Sequence, residues 1–401
     1  MINAEEYTQR RNSLVAVVAR PIILSAQTEM QARSDTEYRF VQDATFFYYT
    51  GINEPNWKLI FDGKDWKLAQ PKISDVHEIF NGSLSLEDIR STSGIDAIIS
   101  QLDYTKLVTE IAKQSPEIAT LCTPPYEKYY NFTINPARKK LETSLKRIFQ
   151  SVYDCRPEVN RQRAIKSQSE IDEIKQAVAM TSAAFEMVRR QLTQYNYEYE
   201  IEADLSRAYR FGGLEGHAYE PIVASGENAC TLHYIRNNHS LSGKGLILID
   251  SGAKTSDGYV ADITRTYSLN SVTAREMEIH SAVEKAHRQI IKLIMPGVSL
   301  REYQNKVDVI MKNALISVGL LKSKSDDKTY RHYFPHAVGH GLGIDVHESL
   351  GGFETFQVGM VLTVEPGIYI PEEAIGVRIE DDILVTKTGH ENLSVSLSTA
   401  L

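Results

Sequence analysis

The stretch LILIDSGAKTSDGYVADITRTY, residues 246–267, decides the reading of this chain. Leu246 to Ile249 is a continuous apolar run, as in a buried strand, and it ends at Asp250. Asp257-Gly258 is a hairpin turn signal. Centring the turn on residues 255–258 sets Asp250 and Asp262 across from each other to within one residue, on one face of the hairpin. Two bare carboxylates side by side repel, so one must take up a proton or a cation must lie between them.

A second hairpin repeats the arrangement. In MVLTVEPGIYIPEEAIGVRIEDDILV (360–385), centring the turn on Pro371-Glu372-Glu373-Ala374 sets Glu365 directly opposite Glu380. Arg378 and Asp382 lie two residues either side of Glu380 and share its face. The plainer reading, solvent-facing acids on a one-sided sheet, fits poorly because apolar residues flank all four positions.

Between the hairpins lies PHAVGHGLGIDVHE (335–348), with three of the eleven histidines. His336 and His340 are spaced as a helical zinc pair would be. Gly339, Gly341 and Gly343 argue against a helix, since each glycine costs about 1 kcal/mol there. A glycine-rich loop that brings one imidazole near a metal is the better reading. His347, in Ile344-Asp345-Val346-His347, alternates like a strand. Four carboxylates and one neutral imidazole suit two divalent cations, which would balance the acidic charge and lower the pKa of a water between them. Oxygen-rich donors favour manganese, with iron, cobalt or zinc as alternatives. Ligand types alone say dinuclear hydrolase and do not name a substrate.

Working outward, a boundary falls near Arg156-Pro157-Glu158, which divides the chain into residues 1–155 and 156–401. Beyond it Ser169 and Asp172 read as a capping box, followed by Ile171, Ile174, Val178, Phe185 and Val188 at helical spacing. Further helices are expected over about 199–211, 273–294 and 299–318, with strands and hairpins over 220–268 and strand and loop material from 319 to the end. Segregated helices and antiparallel strands indicate an α+β fold. In the first part, LVAVV (14–18), FFYYTGI (46–52) and KLIF (58–61) read as strands, and SLEDIRSTSGIDAIISQL as helix-containing. No cluster of histidines and acids stands out there, so it reads as a structural or substrate-gating domain.

The 401 residues carry 44 basic and 52 acidic side chains, net −8, which argues against a nucleic-acid partner. The longest basic run, Arg138-Lys139-Lys140, reads as solvated surface. Cys122, Cys155 and Cys230 form no disulfide framework, and Cys230 reads as a small packed hydrophobe. The apolar stretch Leu14–Ala19 is broken by Arg20-Pro21, too short for a signal peptide or a membrane span. These features together place the expectation in the cytoplasm, with no membrane partner.

LIDSG, ADITRTY, PHAVGHGLG, TVEPGIY and GVRIEDD resemble the five metal-binding segments of the pita-bread metallopeptidases. That family includes aminopeptidase P, prolidase and methionine aminopeptidase. The resemblance covers about residues 160–401 and implies a C-terminal pita-bread fold, creatinase/aminopeptidase-like, behind a smaller N-terminal α/β domain. It implies Asp250, Asp262, His340, Glu365 and Glu380 as metal ligands. SGENACTLHY (225–234) resembles the strand that carries an active-site histidine, here His233, with Tyr219 in a matching position upstream. His336, His347 and Arg378 match the substrate-contacting residues of the proline-specific branch. RSDTEYRFVQDATFFYYTGINEPN (33–56) is similar to the N-terminal domain of aminopeptidase P.

What the resemblance implies is hydrolysis of the bond between an N-terminal residue and a following proline, by two divalent metal ions, in a homodimer or homotetramer. In that reading His233 or His347 stabilises the oxyanion, Glu365 shuttles the proton, and Arg378 and His336 position the substrate. The alternatives are a prolidase restricted to Xaa-Pro dipeptides and a catalytically inactive binding protein of the same fold.

Overall fold

The computed structural model describes residues 2–126, 129 and 132–401. The chain divides into two compact units, Met1–Gln162 and Arg163–Leu401. The first holds a six-stranded mixed sheet in the order Ile98–Ile99, Trp66–Ala69, Lys58–Phe61, Ile22–Ser25, Glu117–Thr120, Ser151–Asp154. Ile23, Ile60, Ala69 and Ile118 from the strands pack with Val108 and Ile111 of the helix Gln101–Gln114 and with Leu141 and Leu145 of the helix Ala137–Ile148.

KLIF is a strand, as expected, but the other two expected strands are helices. LVAVV is the end of the helix Ala4–Val18, and FFYYT lies in the helix Ala44–Thr50. Helix caps decide both. The Asn3 side chain accepts from the Glu6 N–H, and Asp43 accepts from the N–H groups of Thr45 and Phe46. A cap is worth about 1 kcal/mol, and burial of Leu14, Val18, Phe46, Tyr48 and Tyr49 offsets the rest of the helix reluctance of valine and aromatic residues. Arg138 pairs with Asp43 at 2.5 Å and is not simply solvated.

In the second unit the helix Gln168–Arg190 begins at Ser167, whose side chain closes a capping box with Glu170. The box therefore lies two residues before the expected Ser169–Asp172 pair. Ile171, Ile174, Val178, Phe185 and Val188 are buried along the face that the spacing indicated. Glu198–Phe211, Ala274–Ile291 and Leu300–Ser317 complete the main helices.

Two three-stranded antiparallel sheets carry the rest. One orders Ile222–Ser225, Leu246–Ser251 and Ile263–Ser268; the other orders Val361–Val364, Asp381–Thr386 and Gly389–Asn392. The pair Gly367–Ile370 and Ile375–Arg378 extends the second hairpin. Ile279, Val283, Ile290, Val307 and Met311 from two helices pack against Val364, Ile368, Val377 and Ile383. Every residue of Leu246–Ser251, Val361–Val364 and Ile375–Arg378 is buried. Acidic groups on such strands have little water to stabilise them. Among the described residues no helix is long and apolar enough to cross a membrane.

Candidate metal centre

The second hairpin has the expected register. Val364 pairs with Asp381 and Gly367 with Arg378, so Glu365 and Glu380 face each other between the two ladders. The first hairpin differs. Asp250 pairs with Thr264 and Ser251 with Ile263. The ladder continues through Lys254 opposite Val260, and the Thr255 N–H donates to the Tyr259 carbonyl. The turn is therefore Ser256-Asp257-Gly258, an odd loop with Gly258 at φ +82°. Asp262 lies two residues from the true partner of Asp250. Because side chains alternate with period two, that displacement keeps both aspartates on one face.

The two hairpins are joined across this face. The Glu380 N–H donates to the Thr264 carbonyl at 3.0 Å, and Thr264 Oγ1 donates to Glu380 Oε2 at 2.6 Å. Asp382 Oδ2 accepts from the Asp262 N–H at 3.1 Å. Thr266 Oγ1 both donates to the Arg378 carbonyl and accepts from its N–H. Arg265 sits fully buried behind them. It donates to the carbonyls of Thr264, Glu380, Leu397 and Ser398 and to Asp381.

His340 lies in a loop and not in a helix, as expected. Thr363 fixes the loop by donating its N–H to the His340 carbonyl at 2.9 Å and accepting the His340 N–H on Oγ1 at 3.1 Å. The stretch from Ile344 to His347 is a series of bends; the strand expectation fails because its backbone turns back to pair Gly341 with Glu348. His233 is exposed in a turn after the short helix Gly226–Cys230, so that segment is not a strand either.

Asp250, Asp262, His340, Glu365 and Glu380 come together. Donor atoms lie within 4.8 Å of one another in each of three overlapping groups: Asp250, Asp262 and Glu380; His340, Glu365 and Glu380; and Asp262, His340 and His347. Tyr219 and Arg378 close the acidic side. The Tyr219 hydroxyl is 2.5 Å from an oxygen of Asp250 and 2.5 Å from one of Asp262. Arg378 donates to Asp250 at 2.5 Å, to Thr264 Oγ1 and to the Tyr369 hydroxyl. His336 accepts a hydrogen bond from the Tyr369 hydroxyl on Nε2 and donates Nδ1–H to the Ala337 carbonyl.

The electrostatics show what this cluster requires. Burial, then Asp250 and Asp382, push Asp262 well above the usual carboxylate range. Burial, then Asp262 and Glu365, do the same to Glu380. Glu365 is pushed up to about 8, mainly by burial, with Arg378 opposing. Burial, then His347, lowers His340 to about 4, so its imidazole is neutral at pH 7. Its Nδ1 faces the Gly341 carbonyl, which can only accept. The proton therefore sits on Nδ1, and the Nε2 lone pair points at Asp262 and Glu365 oxygens 3.5 and 3.6 Å away. Acceptor facing acceptor is unfavourable without a cation between them. Tyr219, with one proton for two carboxylates, cannot resolve the repulsion. The donor set fits divalent metal ions.

His336 is lowered to about 4 by burial and Arg378, and His347 is lowered by burial and His233. Tyr369, Thr264, Thr363 and Asp382 were not among the expected site residues. Alternation offered a signal for all four: Thr363 and Tyr369 share a face with Glu365, Thr264 with Asp262, and Asp382 with Glu380. Gly367 leaves the room, since a Cβ there would fall 2.5 Å from the Tyr369 hydroxyl.

Residues 172–387 match the model of metallopeptidase family M24, and residues 7–119 match that of the aminopeptidase P N-terminal domain. The chain is 31% identical to the Xaa-Pro aminopeptidase of Escherichia coli K12, over 99% of this chain and 96% of that protein. It is 31% identical to Xaa-Pro aminopeptidase 3 of Mus musculus, over 95% and 81%. The structure of E. coli aminopeptidase P with the inhibitor Pro-Leu superposes with a TM-score of 0.84 at 29% identity, covering 99% of this chain and 96% of that one.

Proposed function

The chain belongs to metallopeptidase family M24, and from that premise we infer that it hydrolyses the bond between an N-terminal residue and a following proline. One observation carries the reading: five metal-type donors converge on one face of two joined hairpins, in a chain whose first part matches the aminopeptidase P N-terminal domain. We propose residues 1–155 as that domain and 156–401 as the catalytic one.

Asp250, Asp262, His340, Glu365 and Glu380 would hold two divalent ions, which supply Lewis acidity and a water of lowered pKa. Manganese suits the oxygen-rich set, with iron, cobalt and zinc as alternatives. The protein's own groups supply the rest. Glu365 carries the proton to the departing proline nitrogen. Arg378 and His336, locked through Tyr369, set the edge against which the substrate is placed. His233 or His347, at the open side, donates to the carbonyl oxygen as it gains charge. Tyr219 fixes the two aspartates in one orientation. A proline amide has no N–H to hold, so a centre that grips the peptide's N-terminal end suits this bond. Three free cysteines support a cytoplasmic location, and the family resemblance supports a homodimer or homotetramer.

The test is a peptide panel of Xaa-Pro, Xaa-Pro-Yaa and Met-Ala-Yaa with added manganese. Cleavage of Xaa-Pro-Yaa is expected. Turnover of the dipeptide alone would make the protein a prolidase. No turnover, with well under one metal ion per chain, would leave a binding protein of this fold.

A further inference from the structure

A second charged cluster pairs with the loop between His340 and Glu348, and its charges are used by no step above. Arg163 and Lys166, at the start of the second unit, converge on Glu348. Arg163 Nη2 is 2.5 Å from Glu348 Oε1 and 2.8 Å from Asp345 Oδ2, and Lys166 Nζ is 2.9 Å from Glu348 Oε2. The Lys166 and Glu348 side chains are only 2% and 4% exposed. Burying these charges is expensive unless geometry and hydrogen bonds repay it. Here they do. Lys166 also donates to the Arg163 carbonyl, and Glu348 Oε1 accepts the N–H groups of Ile344 at 2.9 Å and Asp345 at 3.3 Å.

The Glu348 backbone closes the same loop. Its N–H donates to the Gly341 carbonyl at 2.8 Å and its carbonyl accepts from Gly341 at 3.1 Å. A Cβ at Gly343 would lie 2.4 Å from the Glu348 carboxylate, so glycine there lets the loop wrap onto it. The Gly343 carbonyl in turn accepts the Val260 N–H, two residues before Asp262. The wrapped segment is bounded by His340 and His347, whose rings meet edge to face at 4.3 Å.

We propose that Glu348, clamped by Arg163 and Lys166, is a positioning residue that sets the His347 imidazole beside His340 and so shapes the substrate side of the centre. The proposal rests on the aminopeptidase reading for its catalytic consequence and not for its structural one. Glu348→Gln keeps the shape and removes the charge. It should lower kcat/KM on an Xaa-Pro-Yaa peptide about 10- to 100-fold, the usual scale for groups that orient site residues. In a His347→Ala background the same change should cost less than about threefold, because the group it orients is gone. Multiplying losses in the two backgrounds would overturn the proposal, as would Glu348→Gln activity within about twofold of the parent. Should Glu348→Gln fail to fold, Lys166→Met, which leaves Arg163 in place, enters the same cycle. Hydrogen exchange needs no substrate: the Gly341, Ile344 and Asp345 amides should exchange faster in the variant. Unchanged exchange would overturn the clamp even if the peptide activity stands, and faster exchange would support it even if that activity fails.

Discussion

The hairpins 246–268 and 361–386 present carboxylate pairs to one centre, yet they are built differently. The later one turns through Pro371–Glu373 with Ala374 at φ +54°, and an even loop puts Glu365 and Glu380 level. The earlier one turns through three residues, so Asp262 is carried past the level of Asp250. A hairpin tolerates such a slip in pairs of residues and not singly, because one step would send the second carboxylate to the opposite face. The face is therefore more robust than the partner, and metal-type sites depend on the face.

The largest test of this equivalence is to remove one carboxylate from each hairpin. Asp262→Ala and Glu380→Ala should each lower kcat/KM on Xaa-Pro-Yaa by about a thousandfold or more and reduce bound metal, measured by elemental analysis. If Asp262→Ala alone kept activity within tenfold, the earlier hairpin would not belong to the centre.

Backbone substitutions should separate the hairpins. A Cβ on Gly252 would lie 1.7 Å from the Ala261 carbonyl oxygen, so Gly252→Ala should cost about 3 kcal/mol in urea unfolding. Ala374 already occupies left-handed backbone, and Ala374→Gly should gain about 0.5 kcal/mol. Equal and opposite small effects would remove the contrast.

Acid should find the earlier hairpin first. His217, on the strand paired with Ala253–Lys254 and hydrogen-bonded to Ser206 and Ser251, is lowered by burial from 6.5 to about 4. Its unfolded form takes up a proton sooner, so its contribution is complete above pH 6.5 and is lost as pH falls toward 4. The slope is at most about 1.4 kcal/mol per pH unit. Asp381, on the later hairpin, is held down at about 2 against burial by Arg265 and His287. That contribution is complete above 3.8 and is lost only as pH falls toward 2. The stability difference between the parent and His217→Gln should therefore change between pH 6.5 and 4 and be flat below; parallel profiles throughout would break the assignment.

Much of the centre was legible because period-two alternation and two turn signals suffice to place four carboxylates on one face. The three glycines around His336 and His340 correctly excluded a helix. The register of the first hairpin was not legible, since Asp257-Gly258 serves both two- and three-residue loops. The Ile344–His347 bends were hidden because their shape is imposed by Arg163 and Lys166, nearly two hundred positions earlier. In the first unit, valine and aromatic runs read as strands, while the deciding caps, Asn3 and Asp43, stood outside the runs. Composition describes a segment; a cap describes its edge.

Arg265 has a practical consequence. Its guanidinium is shared between the backbone beneath the acidic face and the carbonyls of Leu397 and Ser398. Displacing the backbone at Leu397 and Ser398 would strand cationic N–H groups in a dry interior. Damage at these two positions would then be felt as misaligned chemistry beneath the acidic face.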